Sequence, residues 1–236
     1  MKNLVFRIGN TLQVIRKGTT SNDKIESDKK RNIVQTYTFS QKQFELIAEG
    51  KNEGMKHFFS NADSNCLDCP YNSFGKCYTH KFNQYVGFVS MLKSVAKQYP
   101  TFQSIPEFSE DMVQIAYDMC KGTYVRFGTY GEPSVHPEFL ISAMSSASDS
   151  WTGYTHQWGK TNLGSYFMAS THSVEEQMTA SKKGYRSFMA VNEKVAGVVN
   201  CPASFEAGYK STCSKCNLCG GTLGTKSGKS IYILNH

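Results

Sequence analysis

The sequence predicts an α/β fold, namely a partial or eroded (β/α) barrel with a mostly parallel sheet, a short N-terminal β-hairpin and a cysteine-rich C-terminal metal site. Strand-like and helix-like segments alternate from residue 124 onward, which is typical of a parallel sheet with crossover helices. The segments between Thr155 and Leu163 and between Asn192 and Ala196 are too short for full helices. We therefore expect some crossovers to be loops.

Turn and capping signals define the N-terminal elements. Residues 3–16 contain two apolar runs separated by Gly9-Asn10, which predicts a hairpin. Residues 17–32 are polar and charged, which predicts an exposed, mobile loop. Apolar residues at helical spacing after Ser40 predict a helix with this serine as its N-cap. The remaining elements are predicted as strands at 56–60, 123–128, 151–156, 164–170, 185–191, 196–200 and 230–234 and as helices at 80–98, 109–121, 137–147 and 173–183.

The composition is that of a soluble globular protein. Hydrophobic residues make up 39% and charged residues 19% of the 236 residues, enough for one domain with a small appendage. No apolar run approaches the roughly 20 residues that span a bilayer, and the N-terminus MKNLVFRIGN lacks a secretory signal. We therefore expect a cytoplasmic protein without a membrane partner. The net charge of +7 suits an anionic partner such as nucleic acid.

The cysteines indicate metal binding. Seven of the eight fall in two groups, and only Cys120 stands alone. In a cytoplasmic chain such grouping favours metal ligation over disulfides. Cys120 lies in the last turn of a predicted helix, where free cysteine is commonly buried as a small hydrophobic residue.

The first group consists of Cys66, Cys69 and Cys77, spaced C-x2-C-x7-C. Three thiolates can hold a four-iron cluster and leave one iron open. Zinc is the alternative, with His80 as a candidate fourth ligand.

The second group consists of Cys201, Cys213, Cys216 and Cys219. Four thiolates can close a tetrahedral site, and the C-x2-C-x2-C run is similar to a ferredoxin-type arrangement. The sequence predicts a four-iron cluster or a structural zinc ion here. Lysines at positions 210, 215, 226 and 229 surround the group; they either offset the charge of the bound thiolates or contact nucleic acid.

Residues 124–140, YVRFGTYGEPSVHPEFL, read as a strand, a glycine-rich turn and a helix start. This pattern places Glu132 at the carboxyl end of a strand, where ligands bind in α/β folds. An ordinary βα loop is the alternative. His156 ends one predicted strand and His172 follows another, so they are candidate site residues or histidines packed against aromatic side chains. Arg126 lies inside a strand without an assigned role.

This loop and the cysteines ending in Cys77-Tyr78 together resemble the radical S-adenosylmethionine (SAM) superfamily, from about residue 56 to the C-terminus. The family has a C-x3-C-x2-C group ending in C-Y or C-F and a G-G-E-P-like loop, so the cysteine spacing and Tyr130 depart from its pattern. The resemblance implies a cluster on the first three cysteines that binds SAM. It also implies a cofactor-binding loop of Gly131, Glu132 and Pro133.

A second resemblance is to small, uncharacterised cysteine-rich proteins of phages and plasmids. The segments TGYTHQW (152–158) and CPASFEAGYKSTCSKCNLCGG (201–221) carry it. It implies a lineage, and a host-cytoplasm location if the chain is phage-encoded, but no activity.

Three segments are expected. Residues 1–55 form a hairpin, loop and helix packed on the barrel, residues 56–200 form the partial barrel, and residues 201–236 form a metal-binding segment with a closing strand. The expected function is that of an iron–sulfur protein resembling a radical SAM enzyme, with a substrate that the sequence does not identify. The alternative is a catalytically inactive barrel with structural zinc or iron–sulfur sites that binds nucleic acid or takes part in phage replication.

Overall fold

Two five-stranded sheets form the frame of the protein in a computed structural model that describes residues 2–72, 77 and 79–234. The strands are β1 Lys2–Ile8, β2 Thr11–Gly18, β3 Ile33–Ser40, β4 Tyr124–Tyr130, β5 Ser150–Thr152, β6 Tyr154–Thr155, β7 Met168–Thr171, β8 Ser187–Val191, β9 Val199–Asn200 and β10 Ile231–Leu234. The helices are α1 Gln41–Ala48, α2 Met55–Phe59, α3 Asp63–Cys66, α4 Phe82–Gln98, α5 Asp111–Cys120, α6 Glu138–Ala147, α7 Val174–Lys182 and α8 Cys213–Cys216.

The first sheet is mixed and the second is parallel. In the first sheet, ordered β1-β2-β3-β4-β5, the hairpin β1-β2 and the pair β2-β3 are antiparallel, whereas β3-β4 and β4-β5 are parallel. In the second sheet, ordered β6-β7-β8-β10-β9, every pair is parallel. The predicted mixed α/β fold with parallel strands and an N-terminal hairpin is therefore confirmed. The described strands do not form a closed barrel, because β1 and β9 remain edges.

A single glycine joins the two sheets. Gly153 separates β5 from β6, donates its N–H to the Cys219 carbonyl at 3.2 Å and accepts from the Met168 N–H at 3.0 Å. Because β5 and β6 follow each other in one chain direction, the parallel strands of both sheets run the same way. Their carboxyl ends therefore lie along one edge.

Helices pack against the first sheet in two apolar clusters. Helices α1 and α4 pack around Phe39 and Phe44, whereas α5 and α6 pack around Val125 and Phe127. Cys120 is fully buried in the second cluster, as expected for a core residue. Among the described helices, none is both long and apolar enough to cross a bilayer.

The predicted start of the first helix is confirmed. Ser40 Oγ accepts the Gln43 N–H at 3.0 Å, and Gln43 Oε1 accepts the Ser40 N–H at 3.2 Å. These two bonds form a capping box, which satisfies two amide groups that the first helical turn leaves free.

Three sequence-based expectations need correction. Residues 56–60 are not a strand, because Met55–Phe59 is helical and buries the adjacent rings of Phe58 and Phe59 together. The strand before the first cysteine loop is β3, in which the polar side chains of Thr36, Thr38 and Ser40 are buried together with the apolar ones. The strands predicted at 164–170 and 196–200 start later, at Met168 and Val199.

The loop predicted as exposed and mobile is exposed only in part. Strand β2 extends to Gly18, and beyond it Ile25 and Glu26 are buried. The N–H groups of Cys213 and Ser214 donate to the carbonyls of Lys24 and Ile25 at 2.8 and 3.0 Å. This loop therefore holds the segment that contains α8.

The junction at Gly153 gives a stability prediction. A Cβ at this position would lie 2.4 Å from the Phe167 ring, whereas a Cβ at Gly159 meets no atom within 4 Å. We expect Gly153→Ala to lower the free energy of unfolding by about 1–3 kcal/mol through overpacking, and Gly159→Ala to change it by less than about 1 kcal/mol. Urea unfolding of both variants measures this. Equal free energies of unfolding in the two variants would contradict the close contact between Gly153 and the Phe167 ring.

Candidate metal and cofactor site

The candidate site lies where the parallel strands end. Glu132 follows β4, His156 follows β6 and His172 follows β7. The first cysteine group reaches the same edge, because Asn65, directly before Cys66, contacts the Glu132 loop. The sequence-based placement of Glu132 at the carboxyl end of a strand is thus confirmed.

Glu132 is buried, with only 4% of its surface exposed. It forms hydrogen bonds to the cysteine loop, to its own loop after β4 and to the loop after β6. Its N–H donates to the Asn65 carbonyl at 2.8 Å. Its Oε1 accepts the Ser134 N–H and its Oε2 accepts the His156 N–H, both at 3.1 Å. Burial raises the pKa of the carboxyl group, although these bonds and one from the Thr155 side chain act in the opposite direction. The carboxyl group therefore fixes the loop after β4 to the loop after β6.

Gly131 allows the closest approach in the site. Its φ is +76°, and a Cβ would lie 2.6 Å from the Thr38 carbonyl oxygen and 3.2 Å from the Asn65 carbonyl oxygen. The Asn65 side chain donates to the same Thr38 carbonyl at 2.9 Å. The end of β3, the start of the cysteine loop and the Glu132 loop therefore meet around a residue that must lack a side chain.

In the first group, electrostatic effects of neighbouring thiols act on Cys66 and Cys69. Burial raises the pKa of Cys66, and the neighbouring thiols of Cys69 and Cys77 and the carboxylate of Glu132 raise it further. Burial is also the main cause that raises the pKa of Cys69 to about 11. Glu132 therefore lies on the same side as these cysteines. Residues 73–76 and Tyr78, the second residue of the Cys77-Tyr78 motif, lie outside the described residues.

Two histidines and a tyrosine border this group. His156 Nε2 lies 3.9 Å from Cys69 Sγ, and its ring stacks on His172 with 5.6 Å between centroids. Tyr71 Oη lies 3.2 Å from His172 Nδ1. Burial, with a smaller contribution from His172, lowers the pKa of His156 to about 4, so its imidazole is neutral at pH 7. The candidate fourth ligand His80 stacks its ring on Phe59 at 4.1 Å.

His136 belongs to the core rather than to the exposed surface of the turn. It is buried, and its Nδ1 donates to the Pro133 carbonyl at 3.1 Å. Burial lowers its pKa to about 4.

The second cysteine group lies against the opposite end of β4. Cys213 packs on Tyr124, the first residue of that strand. Cys201 and Cys219 pack on a cluster around Met168. Burial raises the pKa of Cys219, and the thiols of the other three members of the group raise it further. The four cysteines therefore share one neighbourhood.

Arg126 is a residue whose role the sequence left unassigned. It lies within β4, between the ends at which the two cysteine groups are found. Burial raises the pKa of Cys213, whereas the positive charge of Arg126 lowers it. Tyr154 acts similarly on Cys219, because a hydrogen bond from its side chain lowers the pKa of that buried thiol. Both residues favour the thiolate form that metal binding requires.

The thiols are near one another but not in a closed ligand geometry. Across residues 2–72, 77 and 79–234, no group of three or more His, Cys, Asp and Glu side chains is arranged to hold a metal ion. All eight cysteines are free. The seven proposed ligands therefore stay predictions, supported by the type and grouping of the donors.

Other proteins give no independent indication of function. No family model matches the sequence, and no curated protein or solved structure matches it. The resemblances to radical SAM proteins and to phage proteins thus rest on the motifs of this chain alone.

Sequence reasoning missed Asn65, Thr38 and Tyr71. Thr38 acts through its backbone carbonyl, and Asn65 acts through its carbonyl and its side-chain amide, in long-range contacts that no residue pattern reveals. Tyr71 lies in an irregular loop without periodicity. The proximity of Asn65 to Cys66 in the sequence was the only available signal.

A pair of glycine variants tests the meeting of the three segments. Gly131 and Gly184 both have positive φ, +76° and +82°, but a Cβ at Gly184 meets nothing within 4 Å. We expect Gly131→Ala to lower the free energy of unfolding by about 2 kcal/mol more than Gly184→Ala, because only the first adds a clash to the backbone strain. Chemical denaturation of reduced, metal-free protein measures this difference. Equal losses would contradict the close approach.

A cysteine pair tests the second group. We expect Cys216→Ser to remove bound metal and to lower the melting temperature by more than about 5 °C, because a metal bound only by the folded state stabilises it. Cys120→Ala serves as the control, since it also removes a thiol but should retain the metal. Metal analysis and thermal unfolding give both values. Full metal content in Cys216→Ser would remove this residue from the ligand set.

Proposed function

We propose that this chain is an iron–sulfur protein resembling a radical SAM enzyme, built on a partial (β/α) barrel that runs from β3 to β9. Cys66, Cys69 and Cys77 hold a four-iron cluster, and Gly131 and Glu132 border the SAM site. One observation carries the proposal: the Glu132 loop docks on Asn65, directly before Cys66, at the carboxyl edge of the parallel strands.

The donor set is compatible with such a cluster. The thiols of Cys69 and Cys77 lie close enough to Cys66 to raise its pKa, and thiolates are the usual ligands of four-iron clusters. One buried polar atom in the cysteine loop, Asn72 Oδ1, has no hydrogen-bond partner among the described residues. Buried polar atoms are normally satisfied, so this atom suits a polar ligand at this edge.

The residues of the chain have distinct tasks in this proposal. When bound, the cluster would supply an open iron for the amino and carboxylate groups of SAM. It would also supply the electron for the reductive cleavage of SAM. Glu132 holds the loop in position through the backbone amides of Ser134 and His156, and the resemblance implies that its carboxylate faces the positively charged amino group of SAM. The neutral His156 can donate its Nε2 hydrogen to the Cys69 sulfur and so stabilise the thiolate.

The second cysteine group has a structural role in this proposal. It binds a four-iron cluster or zinc and fixes α8 to the loop around Lys24 and Ile25. A metal that binds there stabilises the contact between the C-terminal segment and the sheets.

The alternative function is that of a catalytically inactive barrel with structural zinc or iron–sulfur sites that binds nucleic acid, as a replication-associated phage protein. The C-x2-C-x7-C spacing favours it, because it departs from the radical SAM pattern. A net charge of +7 is compatible with either function.

Anaerobic purification separates the two functions. We expect a brown protein with about four to eight irons per chain that slowly cleaves SAM after reduction. Cys77→Ala should abolish cleavage, whereas Cys120→Ala should retain it. A colourless protein with stoichiometric zinc supports the alternative, and a fully loaded iron protein that neither binds nor cleaves SAM rules out the enzymatic function.

A further inference from the structure

Two aromatic side chains project from the loop that follows β9. Phe205 is 69% exposed and Tyr209 is 51% exposed. Their rings are 6.2 Å apart and nearly perpendicular. Single exposed apolar residues are common on protein surfaces, but a pair of neighbouring exposed rings indicates a contact surface.

The loop itself is ordered. The Tyr209 N–H donates to the Ser204 carbonyl at 3.0 Å, and the Gly208 N–H donates to the Phe205 carbonyl at 2.8 Å. Tyr209 adopts a φ of +51°, which is unfavourable for a bulky residue. The backbone therefore presents both rings to solvent at a fixed place, so binding costs little conformational entropy.

The surroundings of the rings are basic. Lys24 Nζ lies 5.1 Å from the Tyr209 ring centroid, and Lys210 is exposed beside it. Glu206 is the one acidic residue in the loop sequence, and its Oε1 accepts the Leu234 N–H at 3.1 Å. Next to Lys24, Asp23 forms an ion pair with Lys29. The charge around the rings is thus complementary to a polyanion.

We propose that residues 201–211, together with Lys24, form a binding site for single-stranded nucleic acid, in which Phe205 and Tyr209 stack on bases and Lys24 and Lys210 contact phosphates. Stacking on side chains requires bases that are not already stacked in a duplex. The site is therefore specific for single strands over duplexes. It is independent of which metal the cysteines bind, so its failure leaves the proposed metal chemistry unaffected.

Fluorescence anisotropy with a labelled oligothymidylate and with a duplex of the same length tests the site in the full chain. We expect the single strand to bind more tightly than the duplex. Phe205→Ala combined with Tyr209→Ala should weaken single-strand binding about tenfold or more. The matched control Phe139→Ala, which removes a half-exposed ring beside Glu138, should leave affinity unchanged. Lys24→Gln should reduce the salt dependence by about 0.7 in the log–log slope.

A second variant gives a readout that does not depend on affinity. In Phe205→Trp, binding of the oligonucleotide should quench the fluorescence of the new indole through stacking, beyond any change that Trp151 and Trp158 give in the wild type. The proposal is overturned by unchanged affinity of the double alanine variant, by tighter binding of the duplex, or by the absence of quenching. It is also overturned if sedimentation shows a dimer that the double alanine substitution dissociates, because the rings then serve self-association.

Discussion

The arrangement of the site depends on one close approach, in which the backbone of Gly131 lies against the carbonyls of Thr38 and Asn65. This contact joins the end of β3, the cysteine loop and the loop after β4. The hydrogen bond from the Glu132 N–H to the Asn65 carbonyl then fixes the position of the residue directly before Cys66. The start of the cysteine loop is therefore held by hydrogen bonds to the sheet edge and to the Glu132 loop.

Strand β4 connects the two cysteine groups. Burial raises the pKa of Tyr130, at the carboxyl end of the strand, and the Cys66 thiol raises it further. At the other end, burial raises the pKa of Tyr124 well above its usual value, with Cys213 as the next cause. With a rise of about 3.3 Å per residue, the two ends are roughly 20 Å apart. A metal that bound at either group would release protons, because burial raises the pKa of Cys66 and Cys69 in the first group and of Cys201 and Cys219 in the second.

Local signals in the sequence predict much of this fold, whereas long-range contacts do not appear in it. Ser40 specifies the start of α1 because a capping box involves only three consecutive positions after it. The glycine-rich turn likewise predicts Glu132 at a strand end, because the signal lies within a few consecutive residues. Strand β3 escaped detection because polar residues such as Thr36 and Thr38 are buried in it, and Asn65 because its contacts with Thr38 and Glu132 are long-range. The positions of Cys66 and Cys69 relative to Glu132 and His156 depend on tertiary contacts that no spacing rule contains.

The central claim is that the first cysteine group holds an open cluster beside Glu132. The most direct measurement is pulsed electron paramagnetic resonance of reduced, anaerobically prepared protein mixed with SAM that carries ¹⁵N in its amino group. The account predicts a hyperfine coupling between the cluster and this nitrogen that is lost in Cys66→Ala. A cluster signal without nitrogen coupling, or a protein that contains zinc and gives no signal, would contradict it.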